Sequence, residues 1–80
     1  MAKRYKNGVL CYNNNNDRYG ILGYDGWCDI HCGDALDIKI KNKWITTTME
    51  MIWGPSGGQW YLVDTPFRGR LPEIEARIAI

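Results

Sequence analysis

Long hydrophobic runs are missing from this chain. No apolar stretch exceeds four residues, too short for a membrane span or for the apolar region of a signal peptide. The start Met leads directly into polar, foldable sequence, so a cytoplasmic site of action is expected, with no membrane partner. Histidine is nearly absent, and a single one removes most acid–base schemes. Cysteine is sparse and odd in number: three residues, where secreted mini-domains carry even sets, point to reduced thiols. Charge of one sign is lacking too. Ten basic against nine acidic residues leave a formal charge of +1, which gives no general attraction to nucleic acid or anionic lipid. Only local basic patches remain, Lys3, Arg4 and Lys6 near the start and Arg68 with Arg70 near the end. Finally, no segment offers three turns of i, i+3, i+4 apolar spacing, so no stable helix is expected.

Large side chains are what the sequence has. A chain of 80 residues makes one domain, and one of this size buries only about 60–65% of the surface its unfolded form exposes. Four Trp, five Tyr and one Phe supply the bulk. Apolar residues at 45% with 24% charged place the chain among ordinary folded domains rather than disordered ones.

The clearest strand begins at Ala35, where Leu36, Ile38 and Ile40 alternate with Asp37, Lys39 and Lys41 in the period of a strand with one buried face. Asn42-Lys43 separates it from Trp44–Trp53, a run of β-branched and aromatic residues. Asn in a tight loop tolerates positive φ, as a type I′ hairpin requires, so the two strands should pair. In the second strand Ile45, Thr47, Met49, Met51 and Trp53 form the more apolar set and are expected to face the core, with Trp44 and Ile52 outside. Gly54-Pro55-Ser56-Gly57-Gly58 is a turn before a strand at Gln59–Val63. Thr65–Pro72 is a loop with room for one short helical turn, and Ile74, Ala76, Ile78 and Ile80 mark a terminal strand. Arg4 to Tyr12 and Arg18 to Tyr24 are strand-like and joined by a loop of four Asn and an Asp.

Short strands with turns every eight to twelve residues and no helix argue for an all-β domain over residues 1–80, a small SH3-like barrel of five to six antiparallel strands. Closure would remove the exposed edges of a small open sheet.

Candidate chemistry concentrates at Cys28, His31 and Cys32. With Cys11 they are enough in number for a tetrahedral zinc site. Their spacing argues against it: His31 and Cys32 are neighbours that point to opposite faces of an extended segment, and no second C-x₂-C pair exists. Inert thiols are expected, with no metal and no cofactor. A Cys32–His31 nucleophile and base pair is disfavoured for the same reason, with no evident Asn or Asp to orient the imidazole. No catalytic residue is assigned. Gly33-Asp34 is a turn whose carboxylate accepts backbone N–H groups. The glycines at Gly20, Gly23 and Gly26 precede no helix, so they are bulges and turns rather than a phosphate cradle.

Aromatics are the better lead, because a domain of this size cannot bury ten of them. Tyr24, Trp27, Trp44 and Phe67 fall in loops or on the outer strand face. With Arg68 and Arg70 they form the expected binding surface, being the residue types that dominate binding hot spots.

The blocks His31-Cys32-Gly33-Asp34-Ala35-Leu36, Lys43-Trp44-Ile45-Thr46-Thr47-Thr48-Met49-Glu50 and Trp60-Tyr61-Leu62-Val63 together resemble a family of small domains of unknown function from Firmicutes, frequent in prophages and conjugative elements. The resemblance covers roughly residues 18 to 80. It implies an SH3-like β-fold and a mobile-element setting, and it carries over no functional residue. The chain departs from the family pattern at the Asn run, at Cys11 and Cys28, and at Thr48, where an Arg is common. The expectation that follows is a non-enzymatic module that docks onto a host protein and inhibits a defence factor. Alternatives are nucleic-acid binding through the basic ends and outer aromatics, and sequestration of a nucleotide signal in an aromatic pocket. Oligomeric state is not readable from the sequence.

Overall fold

Turn chemistry sets the hairpins of the computed structural model, which describes residues 4–23 and 26–79. Lys3, Tyr24 and Ile80 lie outside the described residues. The chain forms β1 (Tyr5–Asn13), β2 (Arg18–Gly23), β3 (Gly26–Asp29), β4 (Ala35–Ile40), β5 (Lys43–Gly54), β6 (Gly57–Leu62) and β7 (Glu75–Ala79). The Asn run turns β1 into β2, with the Asn13 side chain accepting the Asn15 N–H at 2.9 Å. Between β4 and β5 the central turn residues are Lys41 and Asn42, at φ 50° and 67°. Both signs are those of a type I′ turn. The turn therefore sits one residue earlier than Asn42-Lys43, and Lys43 is released to pair with Ile40.

All pairings are antiparallel, and the strands follow the order β3-β2-β1-β7-β4-β5-β6 in one sheet curled into a half-barrel. The all-β, helix-free architecture read from the sequence is present among the described residues. Its strands number seven rather than five or six. The additional one is β3, four residues with no alternation to betray it. Its partner β2 carries Gly20, where a Cβ would lie 2.4 Å from the Trp27 ring. Glycine here makes room for an indole laid across the sheet, rather than for a bulge.

The concave face holds the core. Leu10, Ile21, Leu36, Ile38, Met49 and Leu62 are each 2% exposed or less, and Ile30 and Leu71 close over them from the loops. Burying one such side chain fully contributes about 1.5–3 kcal/mol. The Thr47 hydroxyl is buried with them and donates to the Val63 carbonyl at 2.7 Å, so it costs little.

Strand β5 explains the molecule's length. Its first half, 43–48, pairs with β4, and its second half, 49–54, pairs with β6. The far half of β5 and β6 thus runs out of the sheet as a two-stranded ribbon, consistent with a longest dimension of 45 Å against 27 and 22 Å. The expected face alternation holds at Thr47 and Met49, which are buried, but Ile45 and Trp53 on the same face are 41% and 76% exposed. At Trp53 the strand outlasts the core, whereas Ile45, opposite the buried Ile38, is exposed because no described strand lies on its other side.

Candidate functional site: an aromatic groove

The convex face carries two of the aromatic residues expected at a binding surface, and both have internal partners. Trp27 lies over Gly20, and its indole N–H donates to the Asp29 carboxylate, which also accepts from Asn16 at 2.9 Å. These hydrogen bonds, the indole's first, hold the Asp29 carboxyl below its ordinary range. Trp44 stacks on the Arg77 guanidinium at 4.1 Å, with Tyr5 on Arg77 at 4.0 Å and the Lys39 ammonium 5.6 Å from the Trp44 ring. Arg77 in turn donates to Asp37 at 2.9 Å, tying β7 to β4.

The concave side is different where the ribbon leaves the core. On its inner face Met51 stands opposite Trp60, and Trp53 opposite Gly58. A Cβ at Gly58 would lie 2.5 Å from the Met51 sulfur and 3.1 Å from the Trp53 ring, so glycine lets that ring fold across the ribbon. Facing it is the end of the β1–β2 hairpin, where Tyr12 and Tyr19 meet edge to face, centroids 5.2 Å apart. Tyr19 is buried and fixed by its hydroxyl, which accepts the Leu71 N–H at 2.8 Å. Tyr12 is 40% exposed.

Between ribbon and hairpin lies an open groove of about 670 Å³ that Arg70 and Asp17 also line. A second hollow of about 800 Å³ shares Tyr12, Tyr19 and Arg70 and runs on past Phe67 and Pro72. Phe67 is held by its N–H on the Thr65 hydroxyl at 3.1 Å. Of the six residues expected at a binding surface, this groove system brings together Phe67 and Arg70. Arg68 is exposed and bridges to Tyr61 beside it, Trp27 and Trp44 are on the convex face, and Tyr24 lies outside the described residues. The aromatic residues missed by the sequence reading are Tyr12, Tyr19, Trp53 and Trp60. For Trp53 and Trp60 the signal that could have found them is length: a ten-residue β run beside a shorter partner must overhang it.

The cysteines do not converge. Among the described residues no three His, Cys, Asp or Glu side chains are placed to hold a metal ion. Burial, then the Glu73 carboxylate beside it, raises the Cys11 thiol above its ordinary range, which disfavours the thiolate. Asp34 accepts the His31 N–H at 2.8 Å, as expected of the turn. The same carboxylate lies 3.4 Å from the His31 ring, so an acid does accompany the imidazole, contrary to the sequence expectation. The pair is solvated, with side chains 60% and 48% exposed.

No curated protein matches the chain. A crystal structure of a protein from Ruminococcus gnavus is similar to it, with 30% sequence identity, a TM-score of 0.72, and coverage of 90% of this chain and 99% of that one. The family described as a domain of unknown function, DUF5348, matches residues 8–78, and the chain belongs to that family.

Proposed function

We propose that the protein is a non-enzymatic binding module that docks onto a host protein through the groove between the β5–β6 ribbon and the β1–β2 hairpin. The observation that carries this reading is Trp53, 76% exposed at the end of an apolar face that runs unbroken from the core. Tyr12, Trp60 and Arg70 surround the same groove. Large rigid rings ringed by a guanidinium are what an interface needs at its centre, since such residues bring contact area at little entropic cost. The sequence resemblance to a family frequent in prophages and conjugative elements supports a phage or mobile-element setting for this reading, with docking that inhibits a host defence factor.

The test is affinity capture from a host lysate with the natural chain and with Trp53→Ala and Arg70→Glu, each confirmed folded by circular dichroism. A stoichiometric partner held by the natural chain and lost from both variants is expected. Retention of every captured protein by both variants overturns the reading.

A second reading has one observation in its favour. Exposed rings beside an arginine also make a stacking platform for single-stranded nucleic acid. Binding of an oligonucleotide at low salt, weakened by added salt, would support it, and no binding at low salt removes it.

A further inference from the structure

The distal half of β6 presents an unfilled pairing lane. Trp60 C=O accepts the Gly69 N–H at 2.6 Å, and the Leu62 N–H donates to Phe67 O at 3.1 Å. The segment 67–69 therefore lies along the outer edge of β6 as a short extra strand, opposite Tyr61. Alternate residues of a strand share an edge, so Gly58 N–H, Gly58 C=O and Trp60 N–H point to that same outer edge. The group that would continue the lane, the Leu71 N–H, goes instead to the Tyr19 hydroxyl. Among the described residues no backbone group occupies the lane beside Gly58. The edge is also bare of bulk, with Gly57 and Gly58 in sequence, and it borders the groove that Trp53, Trp60 and Arg70 line.

We infer that this edge takes an extended segment of a partner protein as an added antiparallel strand, continuing the lane of residues 67–69, with a carboxylate of that segment meeting Arg70. The inference rests on the groove being the docking surface, and it names the mode and chemistry of the partner. An added strand satisfies the three open backbone groups, and every second side chain enters the groove. Charge sets the preference. Arg68 and Arg70 flank the end of the lane and make no ion pair with a described residue, while Asp17 is the single carboxylate lining the groove. A second copy paired antiparallel through the same edge would set its Ser56-Gly57 turn, which has no carboxylate, against Arg70.

The probe is a displayed library of random linear octapeptides, selected on the natural chain and on Arg70→Glu. The expected winners alternate β-branched or aromatic residues with polar ones and carry Asp or Glu, a preference that Arg70→Glu removes. N-methylation of a winning peptide at alternate backbone positions is expected to weaken binding about tenfold, the loss of one hydrogen bond. Amide shifts on binding should centre on Gly58 and Trp60. No enrichment overturns the inference, as do shifts centred on the opposite edge at Met51 and Trp53, or self-association through β6 in sedimentation. Peptides indifferent to N-methylation overturn it as well but leave groove docking standing. Groove docking falls separately, if the captured partner is retained by both Trp53→Ala and Arg70→Glu.

Discussion

Arg77 is a charged residue made part of the packing. Its guanidinium is held between the Tyr5 and Trp44 rings and bonded to Asp37, and these partners come from β1, β5 and β4. Its side chain is 23% exposed and that of Asp37 14%, so the pair is shielded far better than a surface ion pair and outweighs one. Only a planar cation stacks on two rings at once, which makes lysine a poor substitute. Arg77→Ala is expected to lower stability by about 2 kcal/mol and Arg77→Lys by about 1 kcal/mol, read as urea midpoints. Equal midpoints for the natural chain and Arg77→Ala would show that the stack contributes nothing. Alternation alone placed Trp44 on the outer face, and that much was legible. Its cover was not, because the β4–β7 pairing that brings Arg77 there joins residues 40 positions apart.

Local rules read the elements well where a turn or an alternating face is self-contained. The β4–β5 hairpin is such a case, and its type I′ turn supplies a test. Lys41 and Asn42 both hold positive φ, a region that Asn enters readily, Gly freely and β-branched residues scarcely at all. Asn42→Gly should leave stability within about 0.5 kcal/mol, whereas Asn42→Val should cost about 1–2 kcal/mol in a thermal or urea melt. Equal costs would mean that the turn relaxes to another type. Legibility fails where an element depends on what lies across from it. Ile45 and Trp53 share the parity of Met49, yet burial needs neighbours as well as a face: Ile45 has β4 on one side and no described strand on the other, and Trp53 lies beyond the end of β4 with β6 alone beside it. Strand β3 escaped notice for a related reason. Four half-buried residues are too short and too even a run to show a period, and it is Gly20 on the neighbouring strand that lets Trp27 seat it.

At the scale of the whole molecule the inner face of β5 passes through two regimes along one strand. Met49 is fully buried, and Trp53, four residues further on the same face, is 76% exposed. Their Cα atoms are separated by about 13 Å at strand rise, so their substitutions should act independently. Stability of a small domain is a few kcal/mol, of order 0.05–0.15 kcal/mol per residue, so the two regimes are widely separated in consequence. Met49→Ala opens a cavity in the core and should cost about 2–5 kcal/mol, a large share of the total. Trp53→Ala removes a ring that already faces water and should change the urea midpoint by less than about 0.5 kcal/mol equivalent. Amide exchange should divide along the same line, with slow exchange at Thr47 and Met49 and fast local opening over the ribbon from Ile52 to Gly58, which is paired as two strands alone. If Trp53→Ala proved as damaging as Met49→Ala, the indole would be a structural plug of the ribbon, and the overhang would exist to fold the protein rather than to present a surface.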